Sequence, residues 1–175
     1  CINYDSTTIS QPTQLNFSQT AGTDASCYLG SDGSASITGL GGTPPYTYAW
    51  SNSQTGPTAT SLAAGTYTAT ITDSNGCIVV DTVVIGQPTI LISSTTVTQN
   101  ALCAGSSTGT ASASASGATA PYTYSWSNSQ IGATATALAA GVYYVTVTDA
   151  NLCSTVDSVI ITEPDVLKSS FTAVK

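Results

Sequence analysis

The sequence PYTYAWSNSQ at residues 45–54 returns as PYTYSWSNSQ at residues 121–130. LAAGTY at 62–67 returns as LAAGVY at 138–143, and both copies are displaced by 76 residues (121 − 45 and 138 − 62). In both stretches large side chains alternate with small polar ones, which is typical of strands that bury one face. A fixed period that needs no gap indicates a tandem array of one structural unit.

The same frame accounts for the two ends of the sequence. The first 15 residues, CINYDSTTISQPTQL, align with CIVVDTVVIGQPTIL at 77–91 and with CSTVDSVIITEPDVL at 153–167. We therefore expect the chain to be a window from a longer polymer. It would contain the last strand of a preceding repeat, two whole repeats and the first strand of a following repeat, at residues 1–12, 13–88, 89–164 and 165–175.

Charged side chains are rare, and this excludes several classes of function. The chain has two lysines, no arginine and no histidine, and its net charge is −7. Nucleic acids and anionic membrane surfaces require clustered cations, so neither is an expected partner. Acid–base or nucleophilic catalysis based on histidine cannot be assembled. No apolar run approaches the roughly 20 residues that a membrane helix needs. We expect neither an enzyme nor a cofactor.

Each full repeat contains two cysteines at a constant spacing of 50 residues (77 − 27 and 153 − 103). This spacing suggests one disulfide within each repeat, Cys27 with Cys77 and Cys103 with Cys153, while Cys1 would pair upstream. Zinc is the competing interpretation, but zinc sites favour short C-x-x-C spacings or histidines, which are missing here. Disulfides indicate an oxidising, extracellular compartment.

The predicted fold class is all-β, built of tandem immunoglobulin-like β-sandwiches that form a rod. Short alternating strands separated by turn signals at about ten-residue spacing favour a sandwich. Trp50 and Trp126 lie mid-domain, where such folds place a core tryptophan. Tyr67 and Tyr143 end the LAAGxY segments and resemble a tyrosine corner. Pro88 and Pro164 stiffen junctions without a glycine–serine linker, so we expect end-to-end stacking of repeats.

Two local patterns have competing interpretations. Tyr46, Tyr48 and Trp50 share one strand face, as do Tyr122, Tyr124 and Trp126, and such aromatic rows can bind sugars or fill a core. Core packing is favoured because few other large side chains are available. Asp73-Ser74-Asn75-Gly76 resembles the start of a calcium loop, but it lacks the further oxygen ligands of a full loop. A tight turn is therefore favoured over a metal site.

The motifs PYTYxWSN and LAAGxYxVxVTDxxxC, followed by a terminal I-x-x-P, resemble the SprB repeat, which fills giant surface adhesins of gliding Bacteroidota. The resemblance implies type IX secretion, display as a surface filament, and a role in adhesion or gliding. It also implies O-glycosylation at Asp-Ser/Thr motifs, which recur once per repeat at Ser6, Thr82 and Ser158. A polar outward stripe is the alternative interpretation of these motifs.

The leading functional hypothesis is a structural repeat segment of an extracellular, cell-surface filament or adhesin. Its expected partners are neighbouring repeats of the same chain, laterally bundled chains, and a surface polysaccharide or substratum. The alternative hypothesis is a multivalent carbohydrate-binding module, whose affinity would come from many linked copies. Exposure of the aromatic row would favour the module, and burial would favour the structural repeat.

Overall fold

The computed structural model describes residue 5 and residues 7–168. The chain divides into two compact units between Gln87 and Pro88. No helix occurs in this described part of the chain, and every regular element is a strand. Cys1 and Ser6 lie outside the described residues, and so does most of the predicted terminal strand at 165–175.

The first unit contains six strands. Alternating β-branched and small residues form most of them, as expected for a pleated surface with one buried face. They are β1 Asn16–Thr23, β2 Gly33–Leu40, β3 Thr47–Trp50, β4 Thr58–Leu62, β5 Gly65–Thr72 and β6 Ile78–Ile85.

The second unit repeats this arrangement strand for strand. Its strands are β7 Ile92–Gln99, β8 Gly109–Ser116, β9 Thr123–Trp126, β10 Thr134–Leu138, β11 Gly141–Thr148 and β12 Ser154–Ile161. Residues 7–12 and 165–168 form no strand. The described residues cover only part of the two predicted terminal strands, so that part of the domain organisation stays a prediction.

Each unit is a sandwich of two three-stranded antiparallel sheets. The orders are β1-β2-β4 and β3-β5-β6 in the first unit, and β7-β8-β10 and β9-β11-β12 in the second. In immunoglobulin nomenclature these are strands A, B and E in one sheet and C, F and G in the other. The predicted all-β, immunoglobulin-like fold class is confirmed.

The core of each unit is formed by one tryptophan among aliphatic and small side chains. Trp50 is 4% exposed and Trp126 is 2% exposed. Each indole Nε1–H donates to a backbone carbonyl at 3.0 Å, that of Gly56 or Gly132. The indole is therefore buried without leaving its one polar group unpaired.

The tyrosine corner also occurs in both units. Tyr67 donates its hydroxyl to the carbonyl of Ala63 at 3.0 Å, and Tyr143 donates to that of Ala139 at 3.2 Å. Both rings pack against the core but remain half-buried, because the hydroxyl must reach the loop four residues upstream. Each tyrosine thus contributes one side of its ring to the core and its hydroxyl to the corner.

We expect Trp126→Ala to lower the free energy of unfolding of the second unit by about 3–5 kcal/mol, because burial is lost and a cavity remains. Urea denaturation followed by circular dichroism measures this change. The matched control is Tyr144→Ala, since Tyr144 is 54% exposed on the outer face of β11. That control should cost about 1 kcal/mol or less. Equal losses in the two variants would contradict the core role of the indole.

Candidate functional site: the two ends of each repeat

At the end where the chain enters each unit, an aspartate carboxylate accepts hydrogen bonds from the backbone of two loops. Asp73 is 5% exposed and accepts backbone N–H bonds from Thr43 at 2.9 Å, Asn75 at 3.0 Å and Cys77 at 2.8 Å. The carboxylate thus connects the β2–β3 loop to the turn that precedes β6. Hydrogen bonding from Thr43, opposed by burial, holds the pKa of Asp73 below its ordinary value of 3.8.

In the second unit, Asp149 accepts the hydrogen bonds that correspond to those of Asp73. Asp149 is 4% exposed and accepts from the backbone of Thr119 at 3.0 Å, Asn151 at 2.9 Å and Cys153 at 2.8 Å. These bonds occupy the oxygens that a calcium ion would require. Within the described residues, no three His, Cys, Asp or Glu side chains lie close enough to hold a metal ion. The Asp-x-Asn motif therefore has a structural function as a loop clamp.

The segment that carries Cys27 lies at the opposite, C-terminal end of the first unit. The backbone N–H of Leu29 donates to the side chain of Gln87 at 2.7 Å, and Ala25 N–H donates to the carbonyl of Gly86 at 3.0 Å. Gly86 N–H in turn donates to Asp24 at 2.7 Å. The cysteine loop is thus fixed to the residues through which the chain leaves the unit.

The loop around Cys103 in the second unit is held by equivalent contacts. Gly105 N–H donates to the carboxylate of Glu163 at 2.7 Å, and Ala101 N–H donates to the carbonyl of Thr162 at 2.9 Å. Thr162 N–H donates to the Asn100 side chain at 3.0 Å. Gln87 and Glu163 differ in charge but offer the same acceptor oxygen. Their clamp function was not recognised in the sequence, although their matching positions in the period were a usable signal.

Neither of the expected disulfides within a repeat is formed. Cys77 and Cys103 are free, exposed thiols, whereas Cys27 and Cys153 are disulfide-bonded. The predicted pairs Cys27–Cys77 and Cys103–Cys153 are therefore wrong. The reason is geometric: the two cysteines of one repeat precede antiparallel strands and lie at opposite ends of the sandwich.

The aromatic row that could have bound sugars is engaged within its own domain. Tyr46 and Tyr48 are half-buried against the core, and Trp50 is buried. The hydroxyl of Tyr46 donates to the Gly41 carbonyl at 2.6 Å, and that of Tyr48 accepts from Gly39 N–H at 3.2 Å. A shallow groove beside these tyrosines is lined also by Thr55 in the first unit.

The corresponding groove of the second unit has a different wall. Tyr122 and Tyr124 are half-buried like their counterparts, and the Tyr122 hydroxyl donates to the Gly117 carbonyl at 2.5 Å. Ile131, which is 83% exposed, stands where the first unit has Thr55. The polar threonine of one groove is thus replaced by an apolar isoleucine in the other, so the two grooves do not offer one recurring ligand surface.

Two of the three glycosylation motifs lie on described residues. The side chains of Thr82 and Ser158 are exposed at matching positions on β6 and β12. Both strands are at the edge of their three-stranded sheet. Position and exposure are therefore compatible with modification at these two hydroxyls, while Ser6 lies outside the described residues.

The fold and its repetition define a tandem immunoglobulin-like β-sandwich protein. Residues 20–55 and 95–130 match the profile of the SprB repeat family. The resemblance to the SprB repeat that the sequence motifs indicated is therefore confirmed at two segments, one in each unit. A comparison with curated protein sequences gave no match. The described part of the chain has no helix that is long and apolar enough to cross a membrane.

Similarity to solved structures concerns the fold alone. The three N-terminal domains of the bacteriophage RB49 highly immunogenic outer capsid protein align with a TM-score of 0.52 and 18% identity, over 86% of this chain and 59% of that one. A C-terminal fragment of intimin, solved with the intimin-binding domain of Tir, has a TM-score of 0.41 and 14% identity. The alignment covers 87% of this chain and 64% of that one. A Dscam structure has a TM-score of 0.39 and 11% identity, over 88% of this chain and 47% of that one. The chain thus spans less than two thirds of each of these structures.

We expect Asp73 to make the first unit sensitive to acid. Because the folded-state pKa is lowered, the carboxylate contributes stability above its unfolded pKa, near 3.8, and that contribution is lost as the pH falls through the folded-state value. Urea midpoints measured between pH 6 and pH 2 should therefore fall less steeply in Asp73→Asn than in the parent chain.

The matched control is Asp165→Asn, which changes an exposed carboxylate outside every strand. Its pH profile should follow that of the parent. A profile for Asp73→Asn that is indistinguishable from the parent would contradict the clamp interpretation.

Proposed function

We propose that this chain is a structural repeat segment of an extracellular filament that serves as a cell-surface adhesin. The SprB repeats and the tandem immunoglobulin-like fold support a repeat region of a cell-surface adhesin with a non-enzymatic role. In this proposal the repeats act as spacers that carry an adhesive part of the protein away from the cell. The filament would be exported by type IX secretion and would serve in adhesion or gliding motility.

The proposal rests on which contacts within the first repeat are found again within the second. The end clamps recur atom for atom: Asp73 corresponds to Asp149, and Gln87 corresponds to Glu163. Two exposed positions that could contact a ligand differ between the repeats, since Tyr144 corresponds to Thr68 (144 − 76) and Ile131 to Thr55 (131 − 76). A multivalent binding module requires the same ligand surface in each copy. A spacer requires the same fold and the same ends, which is the pattern found here.

The surface location can be tested on intact cells of the producing organism. Antibody fragments raised against residues 13–164 should label filaments outside unpermeabilised cells, and external protease should remove the signal. Labelling that appears only after permeabilisation would contradict the proposal.

The carbohydrate-binding alternative is tested separately, by applying the purified chain to a glycan array. We expect no saturable binding, since the aromatic rings are engaged in the core and in bonds to their own backbone. Saturable binding that is lost in Tyr48→Ala, and retained in Tyr144→Ala, would favour the module and contradict the spacer.

We further propose that Ser6, Thr82 and Ser158 carry O-linked glycans in the native protein. Sugars on β6 and β12 would hydrate a surface that has few charges, and would cover sheet edges that otherwise favour association between strands. Cleavage before aspartate separates the Ser158 site into peptide 157–164 and the Ser6 site into peptide 5–23. Mass spectrometry of native material should find glycan mass on both and on the peptide that begins at Asp81. Unmodified peptides at all three sites would refute the proposal.

A further inference from the structure

The edge strand β4 of the first unit is covered by a side chain rather than by another strand. Gln54, in the loop between β3 and β4, donates its side-chain N–H to the Thr60 carbonyl at 2.8 Å and accepts from the Thr60 backbone N–H at 3.0 Å. Thr60 is the central residue of β4, which lies at the edge of the sheet β1-β2-β4. In an antiparallel pair two residues exchange both bonds in this way. The glutamine amide therefore takes the place of a peptide group from a neighbouring strand.

Thr60 can accept this partner because β4 is bulged at that point. The register between β2 and β4 shifts after Ala59, so that Thr60 and Ser61 together lie opposite a single residue of β2. Ser61 has a φ of 55°, in the left-handed region. Residues in a bulge leave the regular ladder, and their backbone polar groups then need another partner. For Thr60 that partner is the side chain of Gln54.

The loop that carries Gln54 is fixed by contacts of its own. Trp50 N–H donates to the Gln54 carbonyl at 2.9 Å, and Gln54 N–H donates to the Asn52 side chain at 3.2 Å. Ser51 N–H donates to the Thr68 carbonyl at 2.9 Å, which ties the loop to β5. Because the backbone is already held, little further conformational entropy is lost when the glutamine is placed against β4.

The same loop covers the edge of the opposite sheet. Ala49 of β3 forms an antiparallel bridge with Thr55, and Gly56 N–H donates to the Tyr48 carbonyl at 3.4 Å. β3 is the edge strand of the sheet β3-β5-β6. One loop thus covers two edges of the sandwich, β3 with its backbone and β4 with the side chain of Gln54.

The second unit has the same arrangement. Gln130 donates to the Thr136 carbonyl at 2.7 Å and accepts from the Thr136 N–H at 2.9 Å. Its loop has the same SNSQ sequence, and Ala137 has a φ of 53° at the corresponding bulge. The next loop residue changes from Thr55 to Ile131, whereas the glutamine and both of its bonds are kept.

Without the glutamine, β4 and β10 would be open edges. The unpaired N–H and C=O groups of an open edge can pair with the edge of another chain, and charged residues or proline commonly prevent this. Neither strand contains a charged residue or a proline. We propose that Gln54 and Gln130 are edge caps that prevent β4 and β10 from pairing with a second copy of the chain. This role goes beyond the proposed spacer function and does not depend on what the filament binds.

The variant Gln54→Ala tests the cap in solution, because it removes both bonds and opens one edge per chain. An edge strand pairs with its own copy about a two-fold axis, so we expect a reversible dimer of about twice the parent's mass in sedimentation equilibrium. The double variant Gln54→Ala, Gln130→Ala opens two edges per chain and should form larger oligomers. If both variants keep the parent's mass at the same concentration, the proposal is overturned.

Two further variants separate edge pairing from a general loss of stability. Gln99→Ala removes a side-chain bond to the Thr108 carbonyl but leaves β4 covered, so it should keep the parent's mass. Thr58→Lys, added to Gln54→Ala, places a charge on the open edge and should restore the parent's mass without restoring either bond. Association that persists with the lysine, or that occurs equally in Gln99→Ala, would contradict edge pairing and overturn the proposal.

Amide hydrogen exchange followed by nuclear magnetic resonance, at a concentration where the chain is monomeric, tests the cap within one molecule. In Gln54→Ala the Thr60 N–H should exchange about fivefold faster or more, because it has lost its hydrogen-bond partner. The Thr136 N–H is the internal control, and it should keep the parent's rate because Gln130 is intact. An unchanged rate at Thr60 would overturn the proposal. Faster exchange throughout the first unit would assign Gln54 to overall stability instead, and would overturn it as well.

Discussion

The burial of one indole between two small sheets is the constraint on which each repeat depends. Trp50 lies opposite Ala69 on the neighbouring strand, and the surrounding core contains Ala35 and Ala59, both essentially without exposure. Small residues there let the two three-stranded sheets approach closely around a single large side chain. The same arrangement surrounds Trp126, whose partner is Val145. The indole is the largest side chain of each core, and in the first unit the fully buried Ile37, Leu62, Ile71 and Ile85 complete the apolar interior.

Polar contacts hold both ends of each sandwich. A buried carboxylate holds the end at which the chain runs in, and an amide or carboxylate oxygen holds the end at which it leaves. Both clamps recur with the period, whereas individual exposed positions, such as those of Tyr144 and Ile131, differ between the repeats. Repetition of the ends suits a protein whose units must connect identically many times, because in linear arrays stability arises from each unit and its immediate neighbours.

The sequence by itself determined the period, the strands, the tryptophan core and the tyrosine corner, because alternation and repetition are local properties of the chain. It also placed Cys27 before one strand and Cys77 before another. Only the tertiary structure decided that these strands run antiparallel with the cysteines at opposite ends, since spacing along a chain does not specify which strand ends meet. The clamp function of Asp73 was likewise decided by the fold: its partner Thr43 is 30 residues away, and a turn motif cannot reveal an acceptor whose donor comes from another loop.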